Sequence, residues 1–173
     1  MKNAILISIL SLFMACKTSK CQINEPIKTT PESCPENGEC KIELLPNKTL
    51  EFKADEFGIL YPEVTDGANT VLIYTYNKKQ KVKRPDGYYR EHIYAEFNGE
   101  ITELDLKDEL LQNIKLHFGR ICYCKGETGY YPIKKGNFKL TFPKKDAIKI
   151  QLDFSVKKIP QVITELNETI SLK

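Results

Sequence analysis

The chain has 173 residues, 41 % hydrophobic and 28 % charged, with a formal net charge of +3, two histidines and no tryptophan. That balance excludes a disordered polyelectrolyte. No run of like charges reaches five, so the dense basic stripe of a nucleic-acid binder is absent as well.

The first residues, "MKNAILISILSLFMAC", place Lys2 before an apolar run from Ala4 to Ala15 that only Ser8 and Ser11 interrupt. The run is far shorter than the roughly 20 residues needed to span a bilayer, and it has the length of a secretory h-region. The stretch "LFMAC" resembles the lipobox of the bacterial lipoproteins, although Phe13 and Met14 are larger than the usual residues there. The resemblance covers residues 1–16 only. It implies cleavage before Cys16, acylation of that residue and attachment to a membrane of the cell envelope. Lys17 after the cysteine resembles the outer-membrane-sorted pattern of some lipoproteins. Two or three acyl chains, each contributing about 0.8 kcal/mol per buried CH₂, would make the attachment essentially permanent. The plain alternative is an ordinary cleaved signal peptide.

Residues 1–15 thus read as a leader, 16–39 as a tether and 40–173 as one domain, of a size that can bury a good core. The tether is rich in Pro, Ser and Thr and offers Ile23 and Ile27 as its large aliphatics. Such a segment is expected to stay extended, at about 3 Å per residue, and to hold the domain off the membrane.

From Cys40 the apolar residues alternate. "CKIELLP" and "KTLEFK" read as two short strands joined tightly at Pro46-Asn47. "TVLIYTY", 70–76, is apolar on both faces, as in a central strand. In "YYREHIYAEF", 88–97, Tyr89, Ile93, Ala95 and Phe97 point one way and Tyr88, Arg90, His92, Tyr94 and Glu96 the other. Asn98-Gly99 is a strong hairpin signal. The basic stretch 77–84, closed by Pro85-Asp86-Gly87, reads as the end of another hairpin. Leu106, Leu110, Leu111 and Ile114 have helical spacing and predict a short helix over 106–113. Gly119 reads as a bulge that shifts the apolar phase to Ile121 and Tyr123. "GNFKLTF", "AIKIQLDFSV" and a last strand over 162–172 complete the pattern. Eight or nine short strands predict an all-β fold, an antiparallel sandwich or a squat barrel.

With Cys16 assigned to lipid, Cys21, Cys34, Cys40, Cys122 and Cys124 remain. Export places them where disulfides persist, and their odd number leaves one thiol over, with Cys21 in the tether the expected one. The bland reading is structural: Cys34 closes on Cys40 across "CPENGEC", or either bridges to Cys122 or Cys124. A second reading takes Cys122 and Cys124 as a redox dithiol, with Arg120 and Lys125 favouring thiolate. A third takes the four as thiolate ligands for zinc, against a spacing unlike that of closed zinc sites.

No catalytic motif occurs, and nothing implies a cofactor. The one constellation that could bind a small ligand or glycan is the strand face Tyr88, Arg90, His92 and Tyr94. Its competing reading is an ordinary outward strand face whose cross-strand pairs stabilise the sheet. Together these readings predict a lipid-anchored envelope protein that binds or supports rather than catalyses. Partners other than the membrane stay open, and nucleic acid is not among those expected.

Overall fold

The computed structural model describes residues 20–80 and 87–172. The leader, Cys16 and the expected turn at Pro85-Asp86 lie outside these residues. Among the described residues twelve strands follow in chain order. They are β1 (Lys20–Gln22), β2 (Ile27–Thr29), β3 (Gly38–Ala54), β4 (Leu60–Lys78), β5 (Tyr89–Phe97) and β6 (Glu100–Thr102). Then come β7 (Leu104–Lys107), β8 (His117–Cys122), β9 (Gly129–Pro132), β10 (Gly136–Lys144), β11 (Ala147–Phe154) and β12 (Glu165–Ser171). A six-stranded sheet, β2-β3-β4-β5-β8-β9, packs over a four-stranded one, β12-β11-β10-β7, with β1 and β6 paired beside them. All these pairings are antiparallel. The architecture is a β-sandwich and not a closed barrel.

The alternation seen in the sequence builds the core. Ile42 and Leu44, Leu72, Tyr74 and Tyr76, and Ile93, Ala95 and Phe97 meet Phe138 and Leu140, Ile148, Ile150 and Leu152, and Leu166 and Ile170 from the other sheet. β4 lies between β3 and β5, and both of its faces are covered: Leu72, Tyr74 and Tyr76 face the main core, and Val71 and Ile73 face a second cluster on the other side, as its doubly apolar sequence requires.

The expected connection at Pro46-Asn47 is a bend inside one strand. β3 pairs with β4 from Gly38↔Lys78 to Ala54↔Leu60, with a register shift at Pro46–Lys48 opposite Asp66–Asn69. Asn47 takes the left-handed conformation, φ 55°, which asparagine tolerates better than other non-glycine residues. A bulge of this kind turns a strand without ending it. The far half of the hairpin folds across the outer face of the six-stranded sheet. There Leu50, Val71 and Tyr94 form a second buried cluster with Phe52, Val64, Ile73 and Tyr130 against it. Leu50 is clamped at both ends: its N–H donates to Glu96 Oε2 at 2.6 Å, and Lys115 Nζ donates to its carbonyl at 2.8 Å.

Other expectations change. Residues 20–39 are not a free spacer: β1 pairs with β6, β2 with β3, and Ile23 is buried in the main core. Glu168, buried on β12, holds this segment by accepting from the N–H of Glu32 at 2.8 Å and from the N–H and hydroxyl of Ser33 at 3.3 Å. Asn98-Gly99 ends β5 as expected, yet the next strand pairs with β1 rather than folding back. The helix expected over 106–113 is a 3₁₀ helix, Asp108–Ile114. Leu106 belongs to β7, and Leu110 is exposed. The last strand starts at Glu165, not 162. Gly119 is not a bulge: β8 pairs with β5 without a register shift. A Cβ at Gly119 would fall 2.5 Å from the Tyr130 ring, so glycine is there to let that ring lie on the strand.

Candidate functional site

The end of the sheet where β5, β8 and the "CYCKGETG" turn meet carries the densest chemistry. β8 ends at the buried Cys122, the chain turns outward so that Tyr123 is 81 % exposed, and Cys124 returns half-buried. Cys122 and Cys124 are disulfide-bonded to each other, Cα–Cα 5.2 Å, and Cys34 is bonded to Cys40, Cα–Cα 5.7 Å. The two bonds are local, so neither bridges the "CPENGEC" loop to β8, and all four sulfurs are committed, which removes a four-thiolate metal set. Tyr74 donates its buried hydroxyl to Cys40 Sγ at 3.1 Å. Cys21 is the free cysteine among the described residues. Partial burial pushes its thiol pKa up, away from the reactive thiolate.

Behind the Cys122–Cys124 loop lies a polar network at positions the alternation makes inward. Because the phase does not shift at Gly119, Arg120 follows Phe118 to the inside, where it is buried. Glu91, on β5 opposite it, has no exposed surface. Arg120 Nε donates to Tyr89 Oη at 3.3 Å, and its guanidinium lies 5.3 Å from the Tyr89 ring centroid. Tyr89 in turn donates to Glu91 Oε1. Burial, then the bond to Glu91, pushes the Tyr89 hydroxyl up to about 12, so it remains a donor at neutral pH. Arg120 also pairs with Glu127 at 2.7 Å. Glu91 accepts further from the N–H groups of Val162 at 2.8 Å and Ile163 at 2.7 Å. The network therefore ties β5, β8 and the 125–128 turn to the segment entering β12. Those two amides are spent on a carboxylate, which is why β12 begins later than its sequence suggests. The sequence signal for Glu91, Arg120 and Glu168 was available: each puts a charge on the buried phase of an alternating strand.

The face Tyr88, Arg90, His92 and Tyr94 is divided by the bent hairpin. Tyr94 is 8 % exposed, with its ring centroid 6.0 Å from Phe52, 5.9 Å from Tyr130 and 5.6 Å from His92. His92 is half-buried, with Nδ1 3.1 Å from Thr75 Oγ1. Burial, helped by Arg90, pushes its pKa down to about 4. Arg90 and Tyr88 stay exposed, and Arg90 Nε donates to Asn77 Oδ1. His117 lies beneath Phe52, ring centroids 3.7 Å apart, and donates through Nδ1 to the Lys115 carbonyl at 2.8 Å. The four residues therefore do not form the open patch expected of them.

What remains exposed and apolar is carried on short, well-held turns. Asp55 Oδ1 accepts from the N–H groups of Phe57 at 2.9 Å and Ile59 at 2.8 Å, and the Asp55 carbonyl accepts from Gly58 N–H at 3.0 Å. This hydrogen-bonded tip of the β3–β4 hairpin holds Phe57 79 % and Ile59 52 % exposed. The disulfide turn displays Tyr123 similarly. Such an arrangement can present side chains to a partner with little loss of conformational freedom on contact. No family model, curated protein or solved structure matches the chain.

Replacing Glu91 by Ala is expected to cost about 3–5 kcal/mol, because it leaves the buried N–H of Ile163 and the part-buried donors of Val162 and Tyr89 without their acceptor. Glu91→Gln, which keeps one acceptor, should cost less; urea unfolding measures both. For His92 the folded pKa, about 4, lies below the ordinary value of 6.5. The unfolded chain therefore binds more protons between those pH values, and stability falls as pH drops from 6.5 to 4. The loss attributable to His92 is about 2–3 kcal/mol, discounted for its residual exposure. Urea unfolding across that window should give a shallower pH slope for His92→Gln than for the native chain.

Proposed function

We propose that this chain is a lipid-anchored lipoprotein of a bacterial cell envelope, with a sandwich domain that acts by binding, through side chains displayed on rigid turns, rather than by catalysis. The observation that carries this reading is the contrast between two sets of residues. Buried ionisable groups, Glu91, Arg120 and Glu168, are committed to holding loops and strands. Phe57, Ile59 and Tyr123 are instead held out into solvent on braced turns. The "LFMAC" leader supports the anchor. β1 begins at Lys20, four residue-to-residue steps of no more than about 3.5 Å each from Cys16, so the domain would rest within roughly 14 Å of the lipid surface. Expression with labelled palmitate tests the anchor. The native chain should incorporate label and sediment with membranes, and Cys16→Ser should do neither. Label-free native protein would defeat the anchor.

A second reading, a thiol/disulfide-active envelope protein, is favoured by the pairing of Cys122 with Cys124. A loop this short constrains the unfolded chain little, so opening it would cost the fold little. Two electrons from a partner dithiol would convert this disulfide to two thiols and leave the partner as a disulfide. Alkylation after graded reduction decides the matter: Cys122 and Cys124 should label before Cys34 and Cys40. If the Cys34–Cys40 bond opens first, the redox reading fails.

A further inference from the structure

The hairpin tip has a counterpart elsewhere on the molecule. Beside the edge strand β9 and the segment that follows β11 lies a cleft of about 460 Å³, with walls that are mostly carbon. Tyr131, Pro132 and Val156 supply its apolar surface. Its rim is basic throughout, formed by Lys134 and Lys135 on one side and Lys157 and Lys158 on the other. Lys134 reaches Glu109 only at 3.8 Å and Lys135 reaches Asp108 at 3.5 Å, across exposed surface. Lys157 and Lys158 have no ion pair among the described residues. No carboxylate lines the cleft.

The tip is the inverse of this. Its exposed Phe57 and Ile59 stand among Glu51, Asp55, Glu56 and Glu63, with Lys53 as the only base from 51 to 63. Lys53 is already paired with Glu63. An acidic collar argues against docking on an anionic bilayer and for a basic-rimmed, apolar receptor. The high exposure of Phe57 shows that its own molecule does not cover it.

We propose that the β3–β4 hairpin tip of one copy docks into the lysine-rimmed cleft of a second copy. The two surfaces are different parts of the chain, so the contact is heterologous and repeats head to tail. Phe57 and Ile59 enter the cleft over Tyr131, Pro132 and Val156, while Asp55 and Glu56 face the lysines. A knob-and-cleft contact of this size is weak in solution, and anchoring copies in one membrane plane raises their effective concentration.

The test uses residues 16–173 with both disulfides formed, since the described residues, 20–80 and 87–172, make one sandwich with its own core. A Cys16→Ser/Cys21→Ser background removes both thiols left outside the disulfides, and with them thiol-linked dimers. In sedimentation equilibrium the average mass should rise with concentration up to about 1 mM and fall back in about 0.5 M NaCl, which screens surface charge. A tip variant, Phe57→Asp/Ile59→Asp, and a cleft variant, Lys157→Glu/Lys158→Glu, should each associate at least ten-fold more weakly. All four positions are exposed, so both variants should fold. Mixed in equal amounts they should recover a one-to-one complex that grows no further, because one retains the cleft and the other the tip. A native chain that stays monomeric, either variant associating like the native chain, or no complex on mixing would overturn the proposal. So would native monomers that bind neutral phosphatidylcholine vesicles through Phe57, which would assign the tip to a bilayer.

Discussion

The structure depends on the bend at Pro46–Lys48. A straight hairpin with arms as long as β3 and β4 would run far beyond the sandwich and leave its apolar far half in water. Turned by the register shift and the left-handed Asn47, the same hairpin serves two cores. Its near half lines the space between the sheets, and its far half closes the outer face of the six-stranded sheet over Tyr94, His117 and Tyr130. Clamping of Leu50 by Glu96 and Lys115 fixes where the far half lands. The exposed tip follows from the same bend, because a hairpin long enough to cross the sheet leaves its turn free.

Buried charge does the second part of the work. Glu91 and Glu168 sit where an apolar side chain would be the default, and each gathers backbone N–H groups from a segment without strand partners of its own. An unpaired buried carboxylate would be costly, and so would the orphaned amides; satisfying one with the other holds a loop in place. The Arg120–Tyr89–Glu91 series extends this to the turn behind Cys122. The buried charges behind Cys122 thus serve the architecture, joining β5 and β8 to the segment that enters β12.

How much of this the sequence held varies by residue. "AIKIQLDF" alternates cleanly and is a strand with its apolar face in the core; "TVLIYTY" is doubly apolar and is central. These succeed because burial on one face leaves a period of two and burial on both leaves an unbroken apolar run. The reading failed at Pro46-Asn47 and Gly119, where the same residues serve a turn, a bend or a close ring contact, and only the partner strand decides among them. It also failed at 106–113, where β10 pairs with Leu106 and draws it into a strand. For the candidate site, His92 and Tyr94 share a strand face as expected, yet a hairpin tens of residues away covers them. Glu91 was legible as a charge out of phase, but its partners were not, since Val162 and Ile163 are about seventy residues distant.

The sequence by itself determined the all-β class, most strand positions and the Cys34–Cys40 closure as an available option, and it pointed to Cys21 as the thiol left over once Cys16 is assigned to lipid. These are local matters, set by periodicity, spacing and parity. Tertiary structure alone decided that Cys122 closes on Cys124, that the segment from Lys20 joins the domain rather than trailing from it, and which tyrosines are buried. Each of these depends on what a remote segment covers or pairs with, and no local pattern encodes the position of a neighbour so far along the chain.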